Sequence, residues 1–246
     1  MNIWALSDLH LSFGVDKPMN VFGRQWHNYE EKIRDNWNKV VGDDDYVLIC
    51  GDVSWATYVE EAKLDFEYIN GLKGKKIISK GNHDYWWTTA AKQKEFLEQN
   101  KLDKISFLHN NSYVIKETTP PASGHPSEGG ELAVCGARGW LPEDMHKTAE
   151  DKKIYDRELI RLELSLKSVD SSQLTVDSGK PKIIAMLHYP PDNRVMRMLS
   201  DYGVSECVYG HLHAQSHKYA VYGTHDGVRY NLTSCDYLGF KPLLII

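Results

Sequence analysis

The stretch KKIISKGNHD, residues 75–84, carries the pattern that decides how this chain folds. The apolar pair Ile77-Ile78 indicates a short buried strand, and residues 81–84 then place an amide, an imidazole and a carboxylate directly after a glycine. The tetrapeptide alone is compatible with a structural role, because Gly-Asn favours tight turns and Asn and Asp cap helices. What favours a functional site is that the same arrangement recurs along the chain.

Five apolar segments, each typical of a strand, end in a side chain that can bind a metal. A single histidine after a strand is more often packed or solvated than a ligand, but five coincidences reverse that expectation. The carboxyl ends of strands form one binding rim in open α/β sheets, so distant residues can meet there. Two of the groups contain a pair at positions i and i+2, which point to the same side of an extended backbone. The candidate ligands are Asp8, His10, Asp52, Asn82, His188, His211 and His213.

The first third of the chain alternates between strand and helix patterns. Residues 2–7, 46–50 and 75–80 are apolar enough to be buried strands, whereas residues 26–41 and 59–72 carry apolar side chains at helical spacing. Strand, helix, strand, helix, strand with continuous apolar strands predicts a right-handed parallel βαβαβ unit. The functional loops of this unit would then share one edge of the sheet.

The last third of the chain returns to strand patterns. Residues 182–187 and 206–209 are apolar segments that again lead into histidines. Alternating segments at 219–222, 228–232 and 241–246 follow, and they predict an antiparallel end to the chain.

Two polar stretches mark the longest loops. Residues 118–130 are rich in Pro, Gly and Ser and predict a mobile loop, and residues 170–179 form a Ser-rich connector. A chain of 246 residues can form one substantial core, and α/β folds commonly reach this size as one domain. We therefore expect a single domain over residues 1–246, with room for an insertion around residues 137–179.

Composition narrows the classes of protein that this chain can be. The formal net charge is −5, with 34 acidic and 29 basic residues, so no basic field attracts nucleic acid or an anionic membrane. The four cysteines lie far apart without a C-x-x-C pair, which favours reduced, buried side chains. No stretch approaches the ~20 apolar residues of a membrane span, and a strand pattern from Asn2 leaves no room for a signal peptide. We expect a cytoplasmic protein.

The number and type of the candidate ligands predict two metal ions. Seven oxygen and nitrogen ligands exceed what a single catalytic zinc binds. Mixed carboxylate, amide and imidazole ligands favour first-row ions such as manganese, iron or zinc, and four histidines argue against a magnesium or calcium site. Two divalent ions with only Asp8 and Asp52 as ionised ligands leave a net charge of about +2, which attracts an anion.

The motifs occur in a fixed order: D-x-H at 8–10, G-D at 51–52, G-N-H-D at 81–84, a histidine after a strand at 188, and G-H-x-H at 210–213. This ordered set resembles the calcineurin-like metallophosphoesterases. The resemblance implies an α/β fold, namely a four-layer α/β/β/α sandwich of two mixed β-sheets flanked by helices. It also implies a dinuclear metal site at one edge of the sandwich.

Carried over position by position, the resemblance assigns roles to individual residues. It places Asp8, His10 and His213 at one metal, Asn82, His188 and His211 at the other, and Asp52 as a bridge. His83 would face the phosphate in catalysis, oriented by Asp84. The family usually has a second aspartate three residues after the first, and Trp55 stands there instead, which puts metal affinity and supporting contacts in question. Arg138, between glycines beyond a strand, is either a bidentate donor to a substrate phosphate or a surface arginine.

The resulting hypothesis is a metal-dependent phosphoric-ester hydrolase that attacks a phosphomonoester or small phosphodiester with hydroxide generated at the metals. Two alternatives stay open. One is a nuclease, which the acidic balance weakens, and the other is a non-catalytic scaffold that binds a partner. A scaffold would have lost ligands, whereas every ligand position here holds a competent residue. We expect a phosphorylated small-molecule substrate and no membrane association, while the identity of the substrate depends on the loops.

Overall fold

The structure, a computed structural model, describes residues 1–116, 131–171 and 181–246. The expected loop at 118–130 and nearly all of the connector at 170–179 lie outside the described residues. The strands are β1 (Ile3–Ala5), β2 (Tyr46–Ile49), β3 (Lys75–Ser79), β4 (Ile105–Leu108), β5 (Tyr113–Lys116), β6 (Glu131–Ala137), β7 (Lys182–Leu187), β8 (Val204–Tyr209), β9 (Gly223–His225), β10 (Val228–Leu232) and β11 (Leu243–Leu244). The α-helices are α1 (Tyr29–Val40), α2 (Lys63–Gly71), α3 (Ala90–Gln99), α4 (Ala149–Ser171) and α5 (Asn193–Asp201).

The first sheet has the strand order β11-β1-β2-β3-β4. Strands β1 to β4 are parallel, and β11 pairs antiparallel with β1 at the edge. Because α1 connects β1 to β2 and α2 connects β2 to β3, the predicted parallel βαβαβ unit is confirmed. Its three strands therefore end at the same edge of the sheet.

The second sheet has the strand order β5-β6-β7-β8-β10-β9. Strands β6, β7, β8 and β10 are parallel, and β5 and β9 are antiparallel strands at the two edges. The expected antiparallel ending is confirmed for the pairs β10–β9 and β11–β1, but it is wrong for the pairing of β10 with β8, which is parallel. The expected strand at 219–222 is also wrong, because a 3-10 helix spans Ala214–Tyr219 and β9 begins at Gly223.

The side chains of each sheet alternate between two apolar layers, as strand geometry requires. In β2, Val47 and Ile49 belong to a cluster that includes side chains of α1 and α2, whereas Leu48 packs with Val134 and Ile184 between the sheets. A third cluster joins the outer face of the second sheet to α4 and α5. The two mixed sheets flanked by helices confirm the predicted four-layer α/β/β/α sandwich.

The cysteines agree with the expectation from composition. All four cysteines are free and buried. Burial raises the pKa of Cys50 to about 12, so this thiol stays protonated and unreactive. Among the described residues, no helix combines the length and the apolar character that a membrane crossing requires.

The buried side chain of Lys76 in β3 makes the stability of the fold depend on pH. Only 1% of this lysine is exposed, and its ammonium donates to the carbonyl of Leu72. Burial lowers the pKa of Lys76 from 10.5 to about 7. The unfolded chain therefore binds more protons than the folded chain between these two values, and this group makes stability rise with pH across that window.

Lys76→Met should remove this pH dependence. The difference in free energy of unfolding between variant and wild type should shrink from about pH 7 to about pH 10, by at most about 1.4 kcal/mol per pH unit. Urea unfolding at several pH values measures the difference, with Lys75→Met, a change at the exposed neighbouring lysine, as the control. A difference that stays constant over this range would contradict the prediction.

Candidate metal centre

The seven candidate ligands follow the carboxyl ends of five parallel strands, β1, β2 and β3 in the first sheet and β7 and β8 in the second. The structure brings all seven together at this rim. Main-chain hydrogen bonds join neighbouring ligand loops, from Asp8 N to Gly51 O at 3.0 Å and from His10 N to Asp52 O at 2.9 Å. The loops after β1 and β2 therefore form one connected surface.

Left-handed backbone conformations aim several of the ligands into the rim. The φ angles are 58° at Asp8, 48° at His10, 51° at Asp52 and 72° at His211. The expectation that residues i and i+2 share a face of an extended backbone is therefore wrong for both pairs, Asp8 with His10 and His211 with His213. Such conformations cost of order 1 kcal/mol or more each and are typical of functional sites.

The first ligand group consists of Asp8, His10 and His213, whose ligand atoms all lie within 4.8 Å of one another. His10 Nε2 and His213 Nε2 are 3.3 Å apart, and Asp8 Oδ1 is 3.7 Å from His213 Nε2. Asp52 Oδ2 lies 4.0 Å from His10 Nε2, so this carboxylate reaches the edge of the first group.

The second ligand group consists of Asn82, His188 and His211. Asn82 Oδ1 lies 2.6 Å from His188 Nε2 and 2.8 Å from His211 Nδ1. Asp52 Oδ2 is 3.5 Å from His188 Nε2. One oxygen of Asp52 therefore lies beside both ligand groups, which is the position that a bridging carboxylate needs.

The hydrogen bonds around the second group show that it suits a cation. His188 Nδ1 donates to the carbonyl of Cys50 at 2.8 Å, so its Nε2 carries a lone pair that faces the Asn82 oxygen. Two acceptors at this distance repel each other, and a cation bound by both atoms would remove that repulsion. Burial also lowers the pKa of His10 and His211 to about 3, which keeps both imidazoles neutral and able to bind a metal.

His213 shows the same preference for positive charge in the first group. Its Nδ1 donates to Asp236 Oδ1 at 2.8 Å, which directs Nε2 towards Asp8 and His10. Burial opposes a charged imidazole, but the hydrogen bonds with Asp236 and Asp8 outweigh burial and raise the pKa of His213 to about 10. A proton or a metal cation at Nε2 therefore stabilises this part of the site.

Asp236 is a residue of this candidate site that sequence reasoning missed. It follows β10, which is parallel to β8 and therefore ends at the same rim. The signal for Asp236 in the sequence is an aspartate that stands shortly after a strand pattern. The expected antiparallel ending would have placed that aspartate at the opposite edge of the sheet.

Glycines let two carboxylates approach the backbone closely. A Cβ atom on Gly81 would lie 2.1 Å from Asp52 Oδ1, and a Cβ atom on Gly210 would lie 2.3 Å from Asp8 Oδ2. Neither glycine can be replaced unless a ligand moves, because these distances are far below van der Waals contact. This explains in physical terms why the G-N-H-D and G-H-x-H patterns begin with glycine.

Asp84 is buried beneath the loops that follow β2 and β3. Its two oxygens accept four hydrogen bonds, from Gly81 N (2.7 Å), Asp52 N (2.9 Å), Val53 N (2.8 Å) and Trp86 Nε1 (3.0 Å). His83 Nδ1 is buried and has no hydrogen-bond partner in the described part of the chain. The expectation that Asp84 orients the His83 ring is therefore wrong, since this carboxylate fixes two loops instead.

His83 lies at the edge of the first ligand group beside Trp55. The His83 main-chain N donates to Asp52 Oδ1 at 2.8 Å, and its ring lies 5.9 Å from the His10 ring. Trp55 stacks on His10, with ring centroids 5.0 Å apart and planes inclined by 22°, and lies 4.7 Å from the His83 ring. Where the family usually has a second aspartate, this chain thus supports both imidazoles with an aromatic side chain.

Arg138 lies beside the second ligand group, but its guanidinium pairs with another side chain. Its main-chain O accepts a hydrogen bond from His188 N at 2.9 Å. Its Nη2 lies 3.4 Å from Glu158 Oε1, and the guanidinium carbon is 4.8 Å from the centre of the Trp140 ring. Contact between Arg138 and a substrate phosphate stays a prediction.

Comparison with known proteins identifies the family. The family model of the calcineurin-like phosphoesterases matches residues 1–215. This chain belongs to the calcineurin-like phosphoesterase family, which confirms the resemblance inferred from its motifs. Membership supports a metal-dependent phosphoesterase, and hence a hydrolase, in general terms. A search of the curated proteins finds no significant match.

Two solved structures resemble this chain at low identity. The phosphopantetheinyl hydrolase PptH from Mycobacterium tuberculosis is 16% identical, with a TM-score of 0.54, and the match covers 95% of this chain and 88% of that one. The protein of unknown function AQ665 from Aquifex aeolicus is 15% identical, with a TM-score of 0.49, and the match covers 99% of this chain and 95% of that one. At 16% identity, the likeness to PptH concerns the fold alone.

Asp236→Asn should weaken metal binding at the first ligand group about tenfold to a hundredfold, because His213 loses the carboxylate that fixes its ring and raises its basicity. The second group, which Asp236 does not contact, should keep its affinity. Calorimetric titration with manganese or zinc measures both sites. Asp226→Asn, at an exposed turn, is the matched control. Unchanged affinity at both sites of the Asp236 variant would contradict the prediction.

Asp84→Asn should lower the free energy of unfolding by about 2–4 kcal/mol, because the amide places a donor against main-chain N–H groups. Urea unfolding in the presence of a chelator measures this loss without a contribution from metal binding. His83→Ala changes the adjacent residue without removing a side-chain hydrogen bond, so it should cost less than about 1 kcal/mol. Equal losses in the two variants would show that the Asp84 hydrogen bonds do not stabilise these loops.

Proposed function

We propose that this chain is a hydrolase of phosphomonoesters or small phosphodiesters that uses two first-row metal ions, namely manganese, iron or zinc. The observation that carries the proposal is the position of Asp52 Oδ2, which lies 4.0 Å from His10 Nε2 and 3.5 Å from His188 Nε2. A carboxylate shared by two such ligand groups is suited to a pair of cations. When bound, the two cations would neutralise phosphoryl charge and supply hydroxide at neutral pH.

The chain's own residues divide the remaining tasks between binding and proton transfer. Asp8, His10 and His213 would hold one cation, and Asn82, His188 and His211 the other. Since only Asp8 and Asp52 are ionised, the first coordination sphere would keep a charge of about +2, which attracts a phosphate ester to an acidic protein. The two ligand groups thereby select an anionic substrate.

His83 is the proposed catalytic imidazole. Its ring makes no hydrogen bond in the described ranges, so it is available to a substrate oxygen. Burial and the nearby His188 lower its pKa, which favours the neutral imidazole at neutral pH. A neutral imidazole with one N–H can stabilise a phosphoryl oxygen or give a proton to the leaving oxygen. Asp84 contributes indirectly, because it fixes the loops that carry His83 and Asp52.

Asp52→Asn and His83→Ala separate metal binding from catalysis. Asp52→Asn should lose metal and activity together, because it removes the carboxylate shared by the two groups. His83→Ala should keep both metals and lose about a hundredfold or more in kcat. Metal analysis and hydrolysis of chromogenic monoesters and diesters measure these effects, with His27→Ala, at an exposed histidine, as the control.

The outcomes distinguish the proposal from its alternatives. Full activity of His83→Ala would remove this residue from the mechanism. Digestion of single-stranded DNA by a wild-type protein that leaves small esters intact would favour a nuclease. No turnover with any first-row metal would favour a scaffold and contradict the proposal.

A further inference from the structure

A wide groove begins at the second ligand group. His211 lines it together with Tyr189, whose ring centroid lies 4.2 Å from that of His211. The groove has a volume of about 1250 Å³. Small-molecule sites typically have volumes of roughly 300–1,000 Å³. The groove therefore has room for far more than the phosphate group that would react at the metal centre.

The lining of the groove suits an organic group. More than half of its lining residues are apolar or aromatic, including Tyr189 and Leu212 near the ligands. Met145 and Tyr219, farther along the lining, are 54% and 68% exposed. Large exposed apolar side chains in a concave surface are typical of ligand-binding sites. The alcohol part of a phosphate ester would pack against these side chains.

Two arginines of α5 provide the groove with unpaired positive charge. Arg194 and Arg197 are exposed, line the groove and are three residues apart, so they lie on the same side of the helix. Neither guanidinium forms an ion pair with a carboxylate in the part of the chain that the structure describes. Two neighbouring guanidinium groups without a close ion-pair partner are well suited to bind a phosphate.

Three carboxylates line the same groove, and none of them forms an ion pair with these guanidinium groups in the described residues. Asp192 Oδ1 accepts hydrogen bonds from Arg194 N and Val195 N at 3.1 Å and 3.0 Å, and its Oδ2 accepts one from the Tyr155 hydroxyl at 2.6 Å. This carboxylate thus caps α5 through hydrogen bonds and is oriented away from an ion pair with the arginines. Glu143 and Asp144 also line the groove, on a separate 3-10 turn, and leave the guanidinium groups unpaired.

We propose that the substrate is a phosphate ester of an extended, largely apolar alcohol that carries a second phosphate, which Arg194 and Arg197 bind. The proposal rests on the proposed function and names its substrate class. Hydrolysis beside the two ligand groups would add water across the ester P–O bond, so that inorganic phosphate forms and the alcohol oxygen leaves with a proton. The second phosphate is not cleaved and serves to hold the alcohol in the groove.

Hydrolysis of alkane-α,ω-diol bisphosphates of increasing length, compared with the matching alkyl monophosphates, tests this substrate class. With manganese present, kcat/KM for the preferred bisphosphate should exceed that of its monophosphate about tenfold or more. The double variant Arg194→Gln/Arg197→Gln should lose this advantage through a higher KM. Its kcat, and its hydrolysis of p-nitrophenyl phosphate, should stay within about twofold of wild type. Arg34→Gln, an exposed arginine of α1, is the control.

The failures of the two proposals are distinguishable. If bisphosphates and monophosphates react equally in wild type, or if the advantage survives in the double variant, the groove assignment is wrong while the phosphoesterase stands. If wild type hydrolyses no ester at all, p-nitrophenyl phosphate included, the proposed function is wrong. In that case, calorimetry with the same bisphosphates tests whether the groove binds the second phosphate. Binding to wild type that the double variant loses would support the groove assignment. Absence of binding to wild type would overturn it.

Discussion

The four hydrogen bonds that Asp84 accepts are the interaction on which the rest of the rim depends. They hold the loops after β2 and β3 against each other, and one of them comes from the main chain of Asp52. Asp52 in turn accepts a hydrogen bond from the main chain of His83. A single buried carboxylate therefore sets the positions of the shared ligand and of the candidate catalytic imidazole. Burial raises the pKa of Asp84 to about 6, so its ionised form relies on these donors.

The second constraint is the repulsion between buried carboxylates. Burial and the charge of Asp8 raise the pKa of Asp52 to about 8 in the absence of metal. Together with the left-handed backbone at Asp8, His10 and Asp52, this repulsion makes the rim costly for the fold. Cations that bind between the two carboxylates relieve the electrostatic part of that cost. The same features that destabilise the metal-free rim thus favour metal binding.

Features that depend on contiguous sequence patterns could be predicted from the sequence, whereas features that depend on long-range contacts could not. Apolar segments that end in a glycine or an ionisable residue are contiguous patterns, and they were sufficient for the parallel strands and for the residues that meet at the rim. Asp236 was not accessible in this way, because its position depends on β10 pairing with β8, a long-range contact. The partners of Asp84 were equally hidden, since they are main-chain N–H groups whose positions depend on the folded loops. The support that Trp55 gives to His10 also depends on the direction of a side chain.

The family match ends at residue 215, but the chain beyond that point crosses from one sheet to the other. After β10 in the second sheet, Cys235 N donates to Ser7 O at 2.9 Å, and Ile3 N donates to Ile246 O at 2.8 Å in the first. This segment links the two sheets through main-chain hydrogen bonds, and movement of one sheet past the other would break these bonds. Each ligand group combines residues of both sheets, because His213 follows β8 of the second sheet and Asn82 follows β3 of the first. The relative position of the two sheets, on which both ligand groups depend, would thus be maintained in part by a segment that contributes none of the seven ligands.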